Sequence, residues 1–213
     1  MERIDDLQFR GLKILQDDGE TRFSEDAVLL ANFLRLRPED RVIDLGSGGG
    51  ILCILGEGKT GARFTGVERQ ARLVSLARRS AAMNGQAIEF LEMDLREAPG
   101  RLGHGAFTAA VMNPPYFQTG ERSRNPGRAE ARHGGAETLG EFLRAAFLLL
   151  KNGGRLFLCW PAAGLTDVLS ALRAERLEPK RMAFVMQADL PRLALIEAKK
   201  LAGPGLLFTP PPQ

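Results

Sequence analysis

At 213 residues and 23.3 kDa, the chain has room for one well-packed domain and an appendage, but not for two full domains. With 44% hydrophobic and 26% charged residues, no apolar run near the ~18 residues of a membrane span and no apolar core behind Met1, it reads as a soluble, cytoplasmic protein. Two cysteines (Cys53, Cys159) and two histidines (His104, His133), all far apart, exclude a disulfide framework and suggest no metal site, while a net charge of +3 carried mostly by arginine tilts toward a phosphate-bearing partner.

The first forty residues read as an appendage, in which Ser24-Glu25-Asp26 opens a helix over Ala27–Leu36 that stops before Pro38. From residue 41 to 213, strand-like and helical segments alternate, the signature of a parallel sheet with helices on both faces. The first strand, Arg41–Leu45, runs into Gly46-Ser47-Gly48-Gly49-Gly50 and then a helix over Ile51–Glu57. Glycines there let the backbone turn tightly and approach a ligand without Cβ clashes. The spacing is Asp-x-Gly-x-Gly-x-Gly, with Asp44 two residues before the first glycine. A carboxylate in that place repels a pyrophosphate but pairs with a cationic amine. Gly58-Lys59-Thr60 looks like the end of a phosphate-binding loop, but Cys53 stands where that loop needs glycine, and the stretch follows a helix rather than a strand.

Three further strands each end in a polar group. Arg63–Val67 leads to Glu68, about twenty residues beyond the glycines, where a carboxylate can accept from both hydroxyls of a ribose. A helix over Ala71–Asn84 closes at Gly85, and Ala87–Leu91 leads to Asp94, which can accept from an exocyclic amine. Phe107–Met112 leads directly to Asn113-Pro114-Pro115-Tyr116. The Asn113 side-chain oxygen and a carbonyl of the Pro-Pro backbone offer two acceptors to a planar amine, and Tyr116 offers an aromatic face to the ring that bears it. Two prolines remove two N–H donors, so this backbone presents acceptors alone.

Thr119–Gly135 carries Arg122, Arg124, Arg128, Arg132 and His133 among Gly, Ser, Asn and Pro without periodicity, and reads as a long loop. Beyond it come a helix over Thr138–Lys151 ended by Asn152-Gly153-Gly154, a strand Arg155–Trp160, a helix Leu165–Arg176, and strands Met182–Gln187 and Leu193–Lys199. An extended or irregular Pro-rich tail follows. The count is seven strands.

Asp44, Gly46, Gly48, Gly50, Glu68, Asp94 and Asn113-Pro114-Pro115-Tyr116-Phe117, in that order at successive strand ends, resemble class I S-adenosylmethionine-dependent methyltransferases acting on exocyclic or amide nitrogen. Arg22–Ala31, Glu178-Pro179-Lys180-Arg181, Leu195–Lys200 and Pro210-Pro211 extend the similarity to the bacterial family that methylates adenine N6 in valine tRNA beside the anticodon. The resemblance implies a Rossmann-like seven-stranded sheet with the last strand antiparallel, S-adenosyl-L-methionine as methyl donor and S-adenosyl-L-homocysteine as product. It also implies tRNA as partner, with position 37 as target, and a monomer or weak homodimer.

It assigns cofactor contacts to Phe23, Ser24 and Asp26 on the N-terminal helix, and to Asp44, Gly46, Ser47, Gly48, Gly50, Glu68, Arg69, Asp94, Leu95 and Asn113. Asn113, Pro114, Pro115 and Tyr116 become the catalytic motif. Tyr116 and Phe117 would stack on a swung-out base, and Arg122, Arg124, Arg128 and Arg132 would hold RNA phosphates. Lys180, Arg181, Lys199 and Lys200 would extend a basic rim. Two departures stand out: Gly134 follows Ala131-Arg132-His133 where relatives often carry an acid, and Cys159-Trp160-Pro161 replaces a basic residue after the fifth strand.

The same four residues also serve methyltransferases of a protein glutamine side chain, whose amide presents the same planar NH₂. Those relatives carry a separate N-terminal helical domain for which forty residues are too few. A non-catalytic, cofactor-binding partner subunit is a further alternative, against which an intact acceptor pair at Asn113–Tyr116 speaks.

Overall fold

The computed structural model describes residues 2–17, 25–114 and 138–212. It opens with a hairpin that the sequence reading missed: β1 (Glu2–Asp6) and β2 (Lys13–Asp17) pair antiparallel from Glu2↔Asp17 to Asp6↔Lys13. The outer edge of β2 is not left open. Leu15 N donates to Ser80 Oγ at 2.9 Å, and Lys13 exchanges backbone bonds with the Asn84 side chain at 2.9 and 2.7 Å. Both partners lie on or at the end of α3 (Ala71–Met83), so a helix supplies the bonds a neighbouring strand would otherwise make. Gly58-Lys59-Thr60 lies beneath this hairpin: a Cβ on Gly58 would come within 2.6 Å of Leu12, and Lys59 Nζ sits 3.8 Å from the Phe9 ring centroid. The triplet is a packing surface for the hairpin.

The main sheet has eight strands among the described residues, in the order β10-β8-β9-β7-β6-β3-β4-β5. In chain order they are β3 (Arg41–Leu45), β4 (Arg63–Glu68), β5 (Glu89–Glu92), β6 (Phe107–Met112), β7 (Leu150–Pro161), β8 (Leu177–Gln187), β9 (Leu190–Lys200) and β10 (Leu207–Phe208). The strands β5-β4-β3-β6-β7 are mutually parallel, and β9, inserted between β7 and β8, runs antiparallel to both. The expected seven strands are all present, with β9 as the antiparallel one. The eighth, β10, comes from the tail expected to be irregular and pairs parallel with β8, helped by a stacked Phe184–Phe208 pair 6.2 Å apart.

Strand alternation sends Val42, Phe64, Phe90, Val111 and Phe157 to one face and Ile43, Leu45, Val67, Met112 and Leu158 to the other. On the first face they meet α1 (Glu25–Phe33), α2 (Ile51–Thr60) and α3; on the second they meet α4 (Ala98–Leu102), α5 (Leu139–Leu149) and α6 (Leu165–Ala174). Coverage on both faces explains the near-continuous apolar strands. Each Leu, Ile or Val so buried contributes roughly 1.5–3 kcal/mol.

Helix α5 begins in a capping box, with Glu141 N donating to Thr138 Oγ1 and Thr138 N to Glu141 Oε2 at 2.6 Å. It ends at Leu149 rather than Lys151, because Leu150 is already extended and pairs with Phe107; Gly153, at φ 73°, serves the bulge that follows within β7. The expected basic rim is corrected at Lys200 and Arg181, which are buried, while Lys199 is exposed. Lys200 Nζ turns inward to Phe147 O and Leu150 O at 2.6 and 2.7 Å, closing the C-terminal turn of α5. Arg181 Nη2 donates to Phe33 O at 2.7 Å, at the end of α1, while its Nε pairs with Glu197. Lys180 bonds the Gly203 and Pro204 carbonyls. Cations at helix C-termini meet the negative end of the dipole and otherwise unmatched carbonyls.

Candidate functional site

Chain order makes the crevice. From β3 the chain proceeds to β4 and β5 on one side, then returns to place β6 and β7 on the other, so the carboxyl ends of β3 and β6 flank a topological switch point. Because these strands are parallel and adjacent, Asn113, the glycine loop, Glu68 and Asp94 fall in one row along the sheet's edge. The row spans three strand spacings, about 14 Å.

At the centre, Gly46 and Ser47 both donate their N–H to Val67 O at 2.9 Å, folding the loop back over β4. Gly46, Gly48 and Gly50 take φ of 71°, 54° and 87°. Gly50 needs glycine twice over, since a Cβ there would also lie 2.7 Å from the Phe90 ring. Helix α2 starts directly after it with no side-chain cap, leaving its first N–H groups pointed at the crevice.

Two polar atoms in this loop are buried without a hydrogen-bond partner among the described residues: Asp44 Oδ1 and Ser47 Oγ. Asp44 Oδ2 accepts only a weak bond, from the Cys53 thiol at 3.4 Å. Burial, with some help from the nearby Glu68 charge and against the Cys53 bond, pushes the Asp44 carboxyl up to about 7. A buried carboxyl with an orphaned oxygen, beside a helix N-terminus, fits a ligand end that carries both an ammonium and a carboxylate.

Glu68 is positioned by backbone: Oε2 accepts from Gly48 N at 3.1 Å and Oε1 from Gln70 N at 2.9 Å. Each oxygen keeps a lone pair for a vicinal diol. Exposed Arg69 follows, near enough to Asp94 to help lower its pKa. Asp94 itself is gripped by Arg96, whose Nε and backbone N reach Oδ1 at 2.8 and 2.9 Å while Nη2 pairs with Oδ2. That guanidinium bond is the main reason the Asp94 carboxyl titrates below its usual range. Arg96 Nη1 also lies 3.6 Å from Glu141. Leu95 is buried in the core on the α5 face.

Asn113 is half-buried just beyond β6, with Pro114 buried behind it. Asp26, on α1, is held by Arg192 Nη1 of β9 at 2.7 Å. Phe23, Ser24, Pro115, Tyr116, Phe117, Arg122, Arg124, Arg128 and Arg132 lie outside the described residues. Among the described residues no cluster of three or more His, Cys, Asp and Glu could hold a metal, and no helix is long and apolar enough to cross a membrane.

Residues 19–171 match the family model described as the methyltransferase small domain, more than half of the chain. The chain belongs to the methyltransferase small domain family. Similar relatives include the tRNA1(Val) (adenine(37)-N6)-methyltransferase of Shewanella amazonensis, 39% identical over 115 residues that span 53% of this chain and 49% of that one. The protein of the same name from Dickeya chrysanthemi is 30% identical over 172 residues, 79% of this chain and 68% of that one. Among solved structures, a predicted O-methyltransferase of Agrobacterium tumefaciens shares the fold at a TM-score of 0.66 with 25% identity, covering 87% of this chain and 86% of that one.

Within this family framework, four neighbours of the site escaped the sequence reading. Cys53 and Cys159 stand as buried free thiols, as expected, but each donates to a polar side chain of the row: Cys53 to Asp44, and Cys159 to Asn113 Oδ1 at 3.1 Å. Arg96 was legible only in hindsight, as the residue two after Asp94, where a long side chain can fold back on its neighbour. Phe90 fills the space under Gly50 and Gly66, so the glycine loop rests on an aromatic ring two strands away.

Proposed function

We propose that this chain transfers a methyl group from S-adenosyl-L-methionine to the exocyclic amine of an adenine in tRNA, at position 37 beside the anticodon. The observation that carries the reading is the row Asn113, glycine loop, Glu68, Asp94 across the switch point, with the orphaned Asp44 and Ser47 oxygens at its centre. The names of the relatives support adenine in tRNA as the substrate.

Asp44 would hold the cofactor's ammonium, the N-terminus of α2 its carboxylate, Glu68 its ribose, and Asp94 its adenine amine, with Leu95 and Arg69 beside them. When bound, that cofactor supplies a methyl group made electrophilic by the attached sulfonium. Asn113 Oδ1 and the Pro114 carbonyl accept from the two N–H groups of the target amine, fixing its plane and turning its nitrogen toward the crevice. Tyr116 and Phe117 stack on the base, and Arg122, Arg124, Arg128 and Arg132 take the phosphates around it. Since neither acceptor is basic, these residues act by orientation and electrostatics.

Residues 1–40 form an appendage whose helix α1 covers the cofactor end of the crevice, with Phe23, Ser24 and Asp26 closing over it. The protein works in the cytoplasm as a monomer or weak homodimer. Methyl transfer from tritiated S-adenosyl-L-methionine into tRNA, DNA and protein, followed by nucleoside mass spectrometry, tests the reading. Label in N6-methyladenine of tRNA is expected; label confined to protein, or none, overturns it.

A further inference from the structure

The most productive feature outside the assigned residues is the thiol behind Asn113. Strands β6 and β7 run in register up to Met112↔Leu158, so the next residue on each, Asn113 and Cys159, also lie side by side. Cys159 is fully buried and packs in the apolar cluster that includes Ala183, Leu193 and Leu195, the last its direct partner across β9. Its Sγ lies 3.1 Å from Asn113 Oδ1. The thiol S–H is the donor in this contact, and the amide oxygen accepts.

An Asn side chain has two nearly equivalent orientations about its last torsion, which exchange the oxygen and the NH₂. Only one of them is useful for gripping an amine, because the flipped one faces donors with donors. We propose that Cys159 is a positioning residue for the methyl-transfer step: its S–H selects the orientation in which Asn113 presents oxygen. An amide oxygen has two lone pairs, so it can accept from the thiol and from a substrate amine together. The thiol therefore holds Asn113 in its amine-accepting state before substrate arrives, and touches neither substrate nor cofactor. This rests on the proposed function and deepens it, since it names what prepares the acceptor.

Infrared spectroscopy tests the contact without turnover, because S–H stretching falls in a window clear of other protein bands and the chain has only two thiols. Cys159→Ala identifies the band by removing it, and in Asn113→Ala that band is expected to move to higher frequency; an unmoved band overturns the proposal. In single-turnover and steady-state assays, Cys159→Ala should lower kcat about three- to tenfold, the weight of one modest hydrogen bond. The KM for tRNA and the cofactor Kd should not change. Cys159→Ser, which restores a donor, should recover kcat to within about twofold, whereas a filler without a donor, Cys159→Val, should not. Wild-type kcat in Cys159→Ala, or a Cys159→Ser enzyme as slow as the alanine variant, overturns the positioning role. A wild-type enzyme that labels no RNA ends the proposed function itself, and the infrared arm then decides the thiol contact alone.

Discussion

Asp44 carries opposing demands at one atom pair. Its carboxyl titrates near 7 in the fold and near 3.8 when exposed, chiefly because burial disfavours the charge. The stability it lends is therefore intact below about pH 4 and is lost as pH rises through about 7, because over that range the folded state holds a proton that the unfolded state has released. Asp44→Asn should raise the melting temperature of the cofactor-free protein at pH 8 by several degrees while weakening cofactor binding, as scanning calorimetry and equilibrium binding would record. In the wild type, cofactor affinity should fall about tenfold from pH 7 to pH 5.5 as the carboxyl protonates, and the asparagine variant should lose that dependence. Asp94 presents a different case, since Arg96 already occupies it and Glu141 offers Arg96 another partner. Arg96→Ala should tighten cofactor binding severalfold in a titration, and Asp94→Ala should weaken it.

Elements set these side chains in place through close approach more than through propensity. The glycine loop can pass over β4 only because Gly50 has positive φ and no Cβ against Phe90. Gly50→Ala should cost about 2–4 kcal/mol, the sum of left-handed strain and overpacking, and should weaken cofactor binding more than Gly49→Ala, whose Cβ would meet open space. Chemical denaturation and cofactor titration of the pair would separate the two effects. The glycines, Asp44 and the apolar run before them were all legible in the sequence, since a buried parallel strand followed by a tight turn leaves a local pattern. Phe90 was not, because it lies forty residues on and only the pairing of β4 with β5 brings it under the loop.

Across the whole molecule, distant parts are tied by side chains that look like surface charge in the sequence. Arg181 joins β8 to the end of α1, stacking 3.6 Å from the Phe33 ring centroid, and Lys200 joins β9 to the end of α5. Lys200→Met should destabilise the fold by about 1–3 kcal/mol, through two carbonyls left without a charged donor, and a denaturant midpoint shift at constant slope would measure it. Its effect on tRNA affinity should be small, whereas loss of a solvated, RNA-facing lysine would do the reverse. The chain alone determined the alternation of strands and helices, the acids at successive strand ends and the acceptor motif after β6, because hydrophobic period, glycine and proline act over a few residues. Only the tertiary structure decided what those groups meet: the hairpin on α3, the inward turn of Arg181 and Lys200, the guanidinium on Asp94 and the thiols behind Asp44 and Asn113. The hairpin on α3, the inward turns and the Cys159–Asn113 contact join segments far apart in the chain, while Arg96 and Cys53 reach near neighbours in a way only the folded turn decides. Burial of a polar group and the identity of its partner are fixed by packing, which no local pattern records.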